Sequence, residues 1–377
     1  MLPKLIGHDK GIRLLQCNQM DGGCKVKILF CGTYMPPALI PRFRYASEAA
    51  NHFCGNLLKE LRHGNDVQVL SFYGFPKEGD WSNEVEKEIS EQGIDFVVKT
   101  GTISRITGFF RYQWKLFRLL RDMDYVLLYN YYWIHYGILG LARFFGVRTA
   151  LIVADHSGPE SHTSLVRRIL ARWTERDYRR FDALIFLSHH FYEQFPHPHK
   201  LFFPGAVCMA DYAGFRYRKK EKCQFLYSGL LNEVTGIDLY LKAIRLVNMP
   251  NVEFVFTGRG PLEKAVREAA QQDARIVYHG FVSREEYYGL LAGADIVVNP
   301  RNMALPENKN NFPSKVMEYL ASGNIVISTR FAGWEDFAPY ILFVETSVEA
   351  LCGGLQEAYG KRREGLRYGK SCICRAV

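Results

Sequence analysis

No two cysteines in this chain are spaced C-x-x-C, although nine are present, at 17, 24, 31, 54, 208, 223, 352, 372 and 374. The odd count and the missing spacing argue against a zinc module and against a secreted disulfide framework, and they fit a reducing cytoplasm. The first 24 residues contain Lys4, Asp9, Lys10, Arg13 and Asp21 but no long apolar core, so the pattern of a secretory signal is missing. Long apolar runs are equally scarce elsewhere. The one stretch to weigh as a membrane span, Tyr125 to Val147, is interrupted by Asn130, His135, Gly137, Gly140 and Arg143, and reads better as a strand, a short helix and a second strand. Solenoid repeats and low-complexity tracts are lacking, as are helix-turn-helix, RNP and zinc-finger patterns, so nucleic acid is not an expected partner.

What the sequence does hold is length and alternation. With 377 residues and 48% hydrophobic content it has apolar side chains enough for two ordinary domain cores. Strands are predicted at 25–31 (KVKILFC), 67–73 (VQVLSFY), 94–99, 125–130, 148–154 and 183–187, with helices between them such as 45–63 and 134–146. Strands alternating with helices imply a parallel sheet covered on both faces. The basic run FRYRKKEKC at 215–223 reads as a linker, after which FLYSG, VEFVFTG, RIVYHG, DIVVNP and NIVISTR alternate with helices at 237–246, 261–271 and 284–292. The expected organisation is an extension at 1–24, a first Rossmann-like domain at 25–215, a second at 222–360 and a tail at 361–377: an α/β chain of two doubly wound domains facing a cleft.

Charge divides unevenly between the halves. Residues 1–220 hold 30 Lys and Arg against 21 Asp and Glu, whereas 221–377 hold 18 of each, so the net charge of +9 lies in the first part. Such an asymmetry suits something anionic, whether nucleic acid, an acidic membrane surface or a phosphorylated acceptor, with solubility as the plainer explanation of the total.

The densest chemistry lies in ENKNNFPSKVMEYLASG, Glu307 to Gly323, where a loop rich in amide and ammonium donors runs into a helix. A helix N-terminus presents unpaired N–H groups and about half a positive charge, which suits a phosphate. Lys309, Asn310, Asn311, Ser314 and Lys315 add side-chain donors. Glu318, one turn in, would repel phosphate and suits the vicinal hydroxyls of a sugar. From spacing alone, a surface helix capped by Ser314 explains the segment equally well.

This segment is similar to the signature of the retaining, two-domain nucleotide-sugar glycosyltransferases, the GT-B fold of family four (glycosyl transferases group 1). In that family a glutamate precedes an FPSK-like turn, here Phe312, Pro313, Ser314 and Lys315, and a second glutamate follows in an EYLASG-like helix. The resemblance implies that Glu318 holds the donor ribose and that Glu307, displaced upstream of the commonest spacing at Asn310, lies near the transferred sugar. It is specific over roughly 225–335 and general over 25–215. It also implies a donor loop at 227–236 (YSGLLNEVTG) that turns at Gly229, although Leu230 and Thr235 stand where the family has an Arg and a Lys that clamp the diphosphate. Arg259, Lys309 and Lys315 are candidate replacements. The GRGP turn at 258–261, with Arg259 and Gly260, resembles the family's glycine-proline turn, and Gly280, Phe281 and Val282 match the strand end that reads the nucleobase.

On the acceptor side, ALIVADHSG sets Asp155 and His156 at the carboxyl end of a buried strand, where open parallel sheets place ligands. The resemblance makes His156 a candidate to take a hydroxyl proton or to bond the transferred sugar. Gly32 and Tyr34 end the first strand on the same side. In the run 105–121, Arg111, Lys115 and Arg118 share one helical face while Phe110, Trp114 and Phe117 share another. Such a helix either lies in an anionic bilayer interface or packs on the sheet with its basic face in water, and the run 167–180 carries the same alternatives.

The combined expectation is a retaining, metal-independent hexosyl- or glycosyltransferase that uses no cofactor beyond its nucleoside-diphosphate-sugar donor. The acceptor would be a glycan or lipid-linked molecule in cell-envelope polysaccharide assembly. The setting would be cytoplasmic, with the inner membrane face as a candidate peripheral location. A non-catalytic partner protein that has lost the diphosphate clamp is the rival from another class, and a nucleotide-sugar epimerase of the same architecture is a third option. Family members commonly end in a helix that crosses back to the first domain, yet only KRREGLRYGKSCICRAV follows the helix at 348–359, so incomplete closure or a truncated end is expected.

Overall fold

The computed structural model describes residues 25–36, 39, 48–74, 87, 89–90, 93–99, 103–154, 164–203, 205, 207, 209–215, 220–305, 308 and 314–363. The chain divides into two compact units between Phe203 and Pro204.

Among the described residues the first unit has seven strands: β1 (Lys27–Gly32), β2 (Asp66–Gly74), β3 (Ile94–Lys99), β4 (Tyr125–Tyr129), β5 (Arg148–Val153), β6 (Ala183–Phe186) and β7 (Lys200–Phe202). All pair in parallel, in the order β3-β2-β1-β4-β5-β6-β7. The helices are α1 (Glu48–Leu61), α2 (Ile103–Leu120), α3 (Ile138–Phe145), α4 (Leu165–Tyr178) and α5 (His189–Gln194). Five consecutive residues of β1 are buried, as a strand covered on both faces requires. Leu29, Cys31, Leu128, Leu151 and Phe186 pack with Tyr112 and Leu116 of α2 in one core. The helix expected at 134–146 is broken. Trp133–His135 form a separate 3-10 turn, because Gly137 adopts φ 99° and restarts the chain as α3, which Gly146 closes at φ 72°. Within that turn His135 is fully buried, and burial brings its imidazole down to about 3, so it stays neutral.

Among the described residues the second unit has six parallel strands: β8 (Cys223–Ser228), β9 (Val252–Thr257), β10 (Ile276–Tyr278), β11 (Ile296–Asn299), β12 (Ile325–Thr329) and β13 (Ile341–Val344). Their order is β10-β9-β8-β11-β12-β13. Around them lie α6 (Ile237–Leu246), α7 (Glu263–Gln272), α8 (Arg284–Gly293), α9 (Ser314–Ser322) and α10 (Val348–Arg363). The central strand β8 is buried along its whole length, and alternate residues feed opposite layers. Phe225 joins Tyr240, Phe254, Leu351 and Leu355 on one side, while Leu226 joins Val297, Val316, Leu320 and Trp334 on the other.

Two boundaries differ from the sequence reading. This unit begins ahead of the 215–223 run, because Tyr212 is fully buried in its core and stacks edge-on with Phe215 and Tyr288. The terminal helix also extends to Arg363, and residues 364–377 lie outside those described. Among the described residues no helix is long and apolar enough to cross a membrane.

The end of α10 is tied to the sheet by charge. Asp295, just ahead of β11, is fully buried, and its carboxylate accepts from Gln224 N at 3.0 Å and from Arg362 Nε at 3.3 Å. Arg362 also donates to Lys220 O at 2.8 Å. Removing one partner of a buried pair strands the other charge, so Arg362→Ala is expected to destabilise this unit by about 3 kcal/mol. The shift of its urea midpoint measures this, and a loss below about 1 kcal/mol would reduce the pair to a surface-type contact.

Candidate functional site

Strand order in the second unit reverses at β8, with β9 on one side and β11 on the other, so the loops leaving these strands part at their carboxyl ends. They do not stay apart, because glycines let main chain lie on main chain. A Cβ at Gly258 (φ 132°) would stand 1.8 Å from Gly229 O, and one at Gly236 (φ 74°) would stand 1.8 Å from Pro300 O. At Gly260 the same atom would come within 2.3 Å of Leu231 O. The approach is used for hydrogen bonding. Gly229 N donates to Thr257 O, Leu231 N to Arg259 O, Leu262 N to Leu231 O and Gly258 N to Gly280 O, all at 2.8–3.0 Å. Gly229, Arg259, Gly260 and Gly280, singled out in the sequence, thus come together in one rim.

The first turn of α9 meets this rim. Ser314 opens the helix, and Lys315 Nζ lies 3.3 Å from Ser228 Oγ and 5.1 Å from the centre of the Tyr287 ring. Glu318, one turn along, accepts from Tyr287 Oη at 2.7 Å. Burial first, and then the neighbouring Glu318 charge, hold the Tyr287 phenol well above its ordinary value, so it remains a donor at neutral pH. The same two causes raise Tyr212 in this cluster. The Tyr319 hydroxyl lies 3.3 Å from both the N and the O of Ser228, pinning α9 to the end of β8. An ammonium and a carboxylate therefore sit half-buried about a turn apart at a helix N-terminus, with Tyr287 touching both.

Arg259 stacks its guanidinium over the exposed ring of Phe281 at 4.5 Å, which leaves a flat cationic-aromatic surface at the end of β10. Val282 leads into α8, whose start is fixed by the reciprocal bonds of Ser283 and Glu286. Leu230 is exposed, and the Thr235 hydroxyl turns inward, 2.6 Å from Leu230 O, which also accepts from Tyr227 Oη at 2.7 Å. The loop that carries two cations in the resembled family is here closed upon itself.

A cation not singled out in the sequence stands beside that loop. Arg301, two residues past β11, donates to Asn308 Oδ1 at 2.8 Å, and Asn308 Nδ2 donates to Val234 O and Asn302 O, each at 2.7 Å. Burial pushes the Tyr227 phenol up to about 12, while the Thr235 bond and then the Arg301 charge act against that rise. Arg301 is thus close enough to Tyr227 to perturb it. Its only sequence signal was a position just after a predicted strand. For Tyr287, Tyr319 and Asn308 the contacts come from tertiary structure and leave no local pattern.

The candidates His156, Glu307, Lys309, Asn311, Phe312 and Pro313, with Asp155 and Asn310, lie outside the described residues. In the first unit the corresponding strand ends are well fixed. Asn130 (φ 56°) follows β4 and accepts from Ala154 N at 2.9 Å through Oδ1, and the Asn51 side chain bonds both N and O of Met35 next to Tyr34. The chain also holds an Asp-x-Asp spacing, Asp122 and Asp124. It lies at the opposite, amino end of β4, where Asp124 accepts from Lys27 N at 2.8 Å and Asp122 faces Arg121. Among the described residues no group of three or more His, Cys, Asp or Glu is placed to hold a metal ion.

Residues 222–359 match the family model described as Glycosyl transferases group 1. No curated protein matches the sequence. Among solved structures, HepE of Anabaena in complex with UDP superposes with a TM-score of 0.66 at 13% identity, over 93% of this chain and 94% of that one. Sucrose-phosphate synthase of Thermosynechococcus elongatus gives 0.63 at 14% identity, over 92% of each chain. The lipopolysaccharide outer core galactosyltransferase WaaB gives 0.61 at 11% identity, over 89% of this chain and 91% of that one. The chain therefore has the GT-B fold of two Rossmann-like domains, and its second unit carries the resemblance to group 1 that the signature segment announced.

Removing the Tyr287 hydroxyl keeps the packed ring but frees the Glu318 carboxylate to rotate. Tyr287→Phe is expected to lose about 1–2 kcal/mol of whatever binding Glu318 provides while leaving the thermal midpoint within a few degrees of wild type. Calorimetric titration with a nucleoside diphosphate, alongside a melt, checks both halves of this expectation.

Proposed function

We propose that this chain is a retaining glycosyltransferase that takes a nucleoside-diphosphate-sugar and passes the sugar to a glycan or lipid-linked acceptor. The observation that carries the reading is Lys315 against Ser228 and Gly229, one helical turn from a Glu318 oriented by Tyr287, within the segment that matches the group 1 model. In this reading Lys315 and the N–H groups opening α9 meet the diphosphate, and Glu318 accepts from the ribose hydroxyls. Arg301 supplies a cation beside the loop in which Leu230 and Thr235 stand. The Arg259–Phe281 pair offers a stacking surface to the base. HepE was solved with UDP, which makes uracil the first base to try.

The reaction follows from that arrangement. The bond between the anomeric carbon and the diphosphate oxygen breaks, and the acceptor oxygen bonds the same carbon from the same face. The acceptor proton passes to the leaving diphosphate. Fixed cations and amides lower the barrier by stabilising the charge that develops on the leaving group, so catalysis is mainly positional and electrostatic. No metal takes part in this scheme, and envelope polysaccharide assembly is the setting proposed for it.

The closed 230–235 loop favours a second reading, in which the fold binds a nucleotide without turning it over. A thermal-shift screen against nucleoside diphosphates and their sugars, followed by a product assay that reads the anomeric configuration, separates the two. Binding without turnover favours the second reading, and no binding at all rejects both.

Lys315→Ala and Arg301→Ala are each expected to weaken UDP about tenfold or more while changing uridine little, since a charge-assisted bond to phosphate contributes about 1.5–3 kcal/mol. Equal losses for the two ligands would mark these cations as structural. Glu318→Gln is expected to lower donor affinity or turnover by about tenfold, because an amide accepts from hydroxyls less strongly than a carboxylate.

A further inference from the structure

In the first unit α2, α3 and α4 lie in the connections β3 to β4, β4 to β5 and β5 to β6, which all travel one way across a parallel sheet. Right-handed crossovers therefore set the three helices on one face. An amphipathic helix on such a face normally turns its apolar stripe inward. Here α4 does the reverse. Leu165, Val166, Ile169, Leu170 and Trp173 fall within about 140° of helical arc and are 71, 65, 42, 44 and 64% exposed, whereas Ala171 and Tyr178 on the opposite side are buried.

The same mounting recurs in α2. Ile106, Phe110, Trp114 and Phe117 form an outward stripe, each at least 46% exposed, while Tyr112, Leu116 and Leu120 are fully buried beneath. α3 joins the two in character: Phe144 is 76% exposed and packs edge-on against Phe145, which in turn meets Phe117 at 5.1 Å.

Arginine flanks these stripes. α2 and α3 contain no acidic residue, and the exposed Arg111, Arg118 and Arg143 lie on them, with Arg118 over the Trp114 ring at 4.7 Å. On α4, Arg167, Arg168, Arg172 and Arg176 are exposed and make no ion pair among the described residues. Of the acids on that helix, Asp177 is engaged by Arg180 at 3.1 Å. A second copy of the chain is a poor occupant, because a two-fold contact would set the same arginines against each other. Outward aromatic and aliphatic ridges edged by cations instead match the boundary between acyl chains and anionic headgroups.

We infer that this face of the first unit docks on an anionic lipid bilayer, with the stripes of α2 and α4 immersed at the headgroup boundary and the arginines on the phosphates. The inference does not depend on the proposed transferase activity. If both hold, a lipid-linked acceptor would be met at the surface where the enzyme rests.

Co-sedimentation of the full chain with vesicles of phosphatidylcholine, with and without phosphatidylglycerol, tests it. Binding is expected only with the anionic lipid and should fall as salt rises. Arg167→Glu, Arg168→Glu and Arg172→Glu together should lower vesicle affinity by roughly a hundredfold or more. Trp114→Ala with Trp173→Ala should lower it roughly tenfold, at all salt concentrations and with an unchanged melting midpoint, because both side chains are exposed. Brominated lipid should quench wild-type tryptophan fluorescence more than that of the double variant. Absence of binding at low salt, or binding that neither set of substitutions alters, overturns the inference. So does a dimer in sedimentation that Trp173→Glu dissolves while vesicles remain unbound, since the occupant would then be a second copy.

Discussion

Contact of main chain with main chain at the reversal point of the second sheet is the constraint on which its site depends. Wherever a side chain would have held the loops after β8, β9 and β11 apart, there is a glycine: 236 against Pro300, 258 against Gly229 and 260 against Leu231. Amides of these loops find carbonyls in the adjoining ones, so three separate connections become one rim. α9 is then located by Tyr319 on Ser228, and Lys315 and Glu318 inherit their positions from that helix. The Lys315 ammonium and the Glu318 carboxylate of this candidate site are thus held in place by the fold itself.

Most strands of both sheets were legible because a parallel sheet covered on two faces writes itself as short unbroken apolar runs. β8 through β12 fall where those runs stand, and α6 spans the residues expected of it, 237–246. β7, α5 and β13 were missed because three to six residues give periodicity nothing to act on. The supposed linker misled through composition: its cations are polar, but its first residue, Phe215, packs against the second core, in which Tyr212 just ahead of it is buried. At the candidate site, Gly229, Lys315 and Glu318 were singled out by a motif. The residues that orient them were not. Tyr287 lies 31 positions from Glu318, and Asn308 lies 74 from the Val234 carbonyl it holds, so no local pattern could pair them.

Amphipathic periodicity has a limit of a different kind. The sequence of α2 shows that its aromatic and basic positions occupy different faces, and a packed helix with a solvated basic side accounts for that pattern as well as any other. Which stripe faces the sheet is decided by what else fills the core, here Tyr112, Leu116 and Leu120 from the same helix. Once those three are inside, Phe110 and Trp114 are geometrically obliged to point away, since a helix cannot present both arcs to one surface.

The place of α10 bears on how the chain is made. Leu351, Leu355 and Ala358 belong to the same core as Phe225 and Phe254 of the first two strands of their unit, and Arg362 neutralises Asp295 before β11. More than a hundred residues therefore leave the ribosome between the strand that starts this sheet and the helix that completes its apolar layer. At translation speeds of about 5–20 residues per second, the half-built sheet keeps an uncovered face for several seconds or longer, a window in which its exposed apolar residues are open to a chaperone.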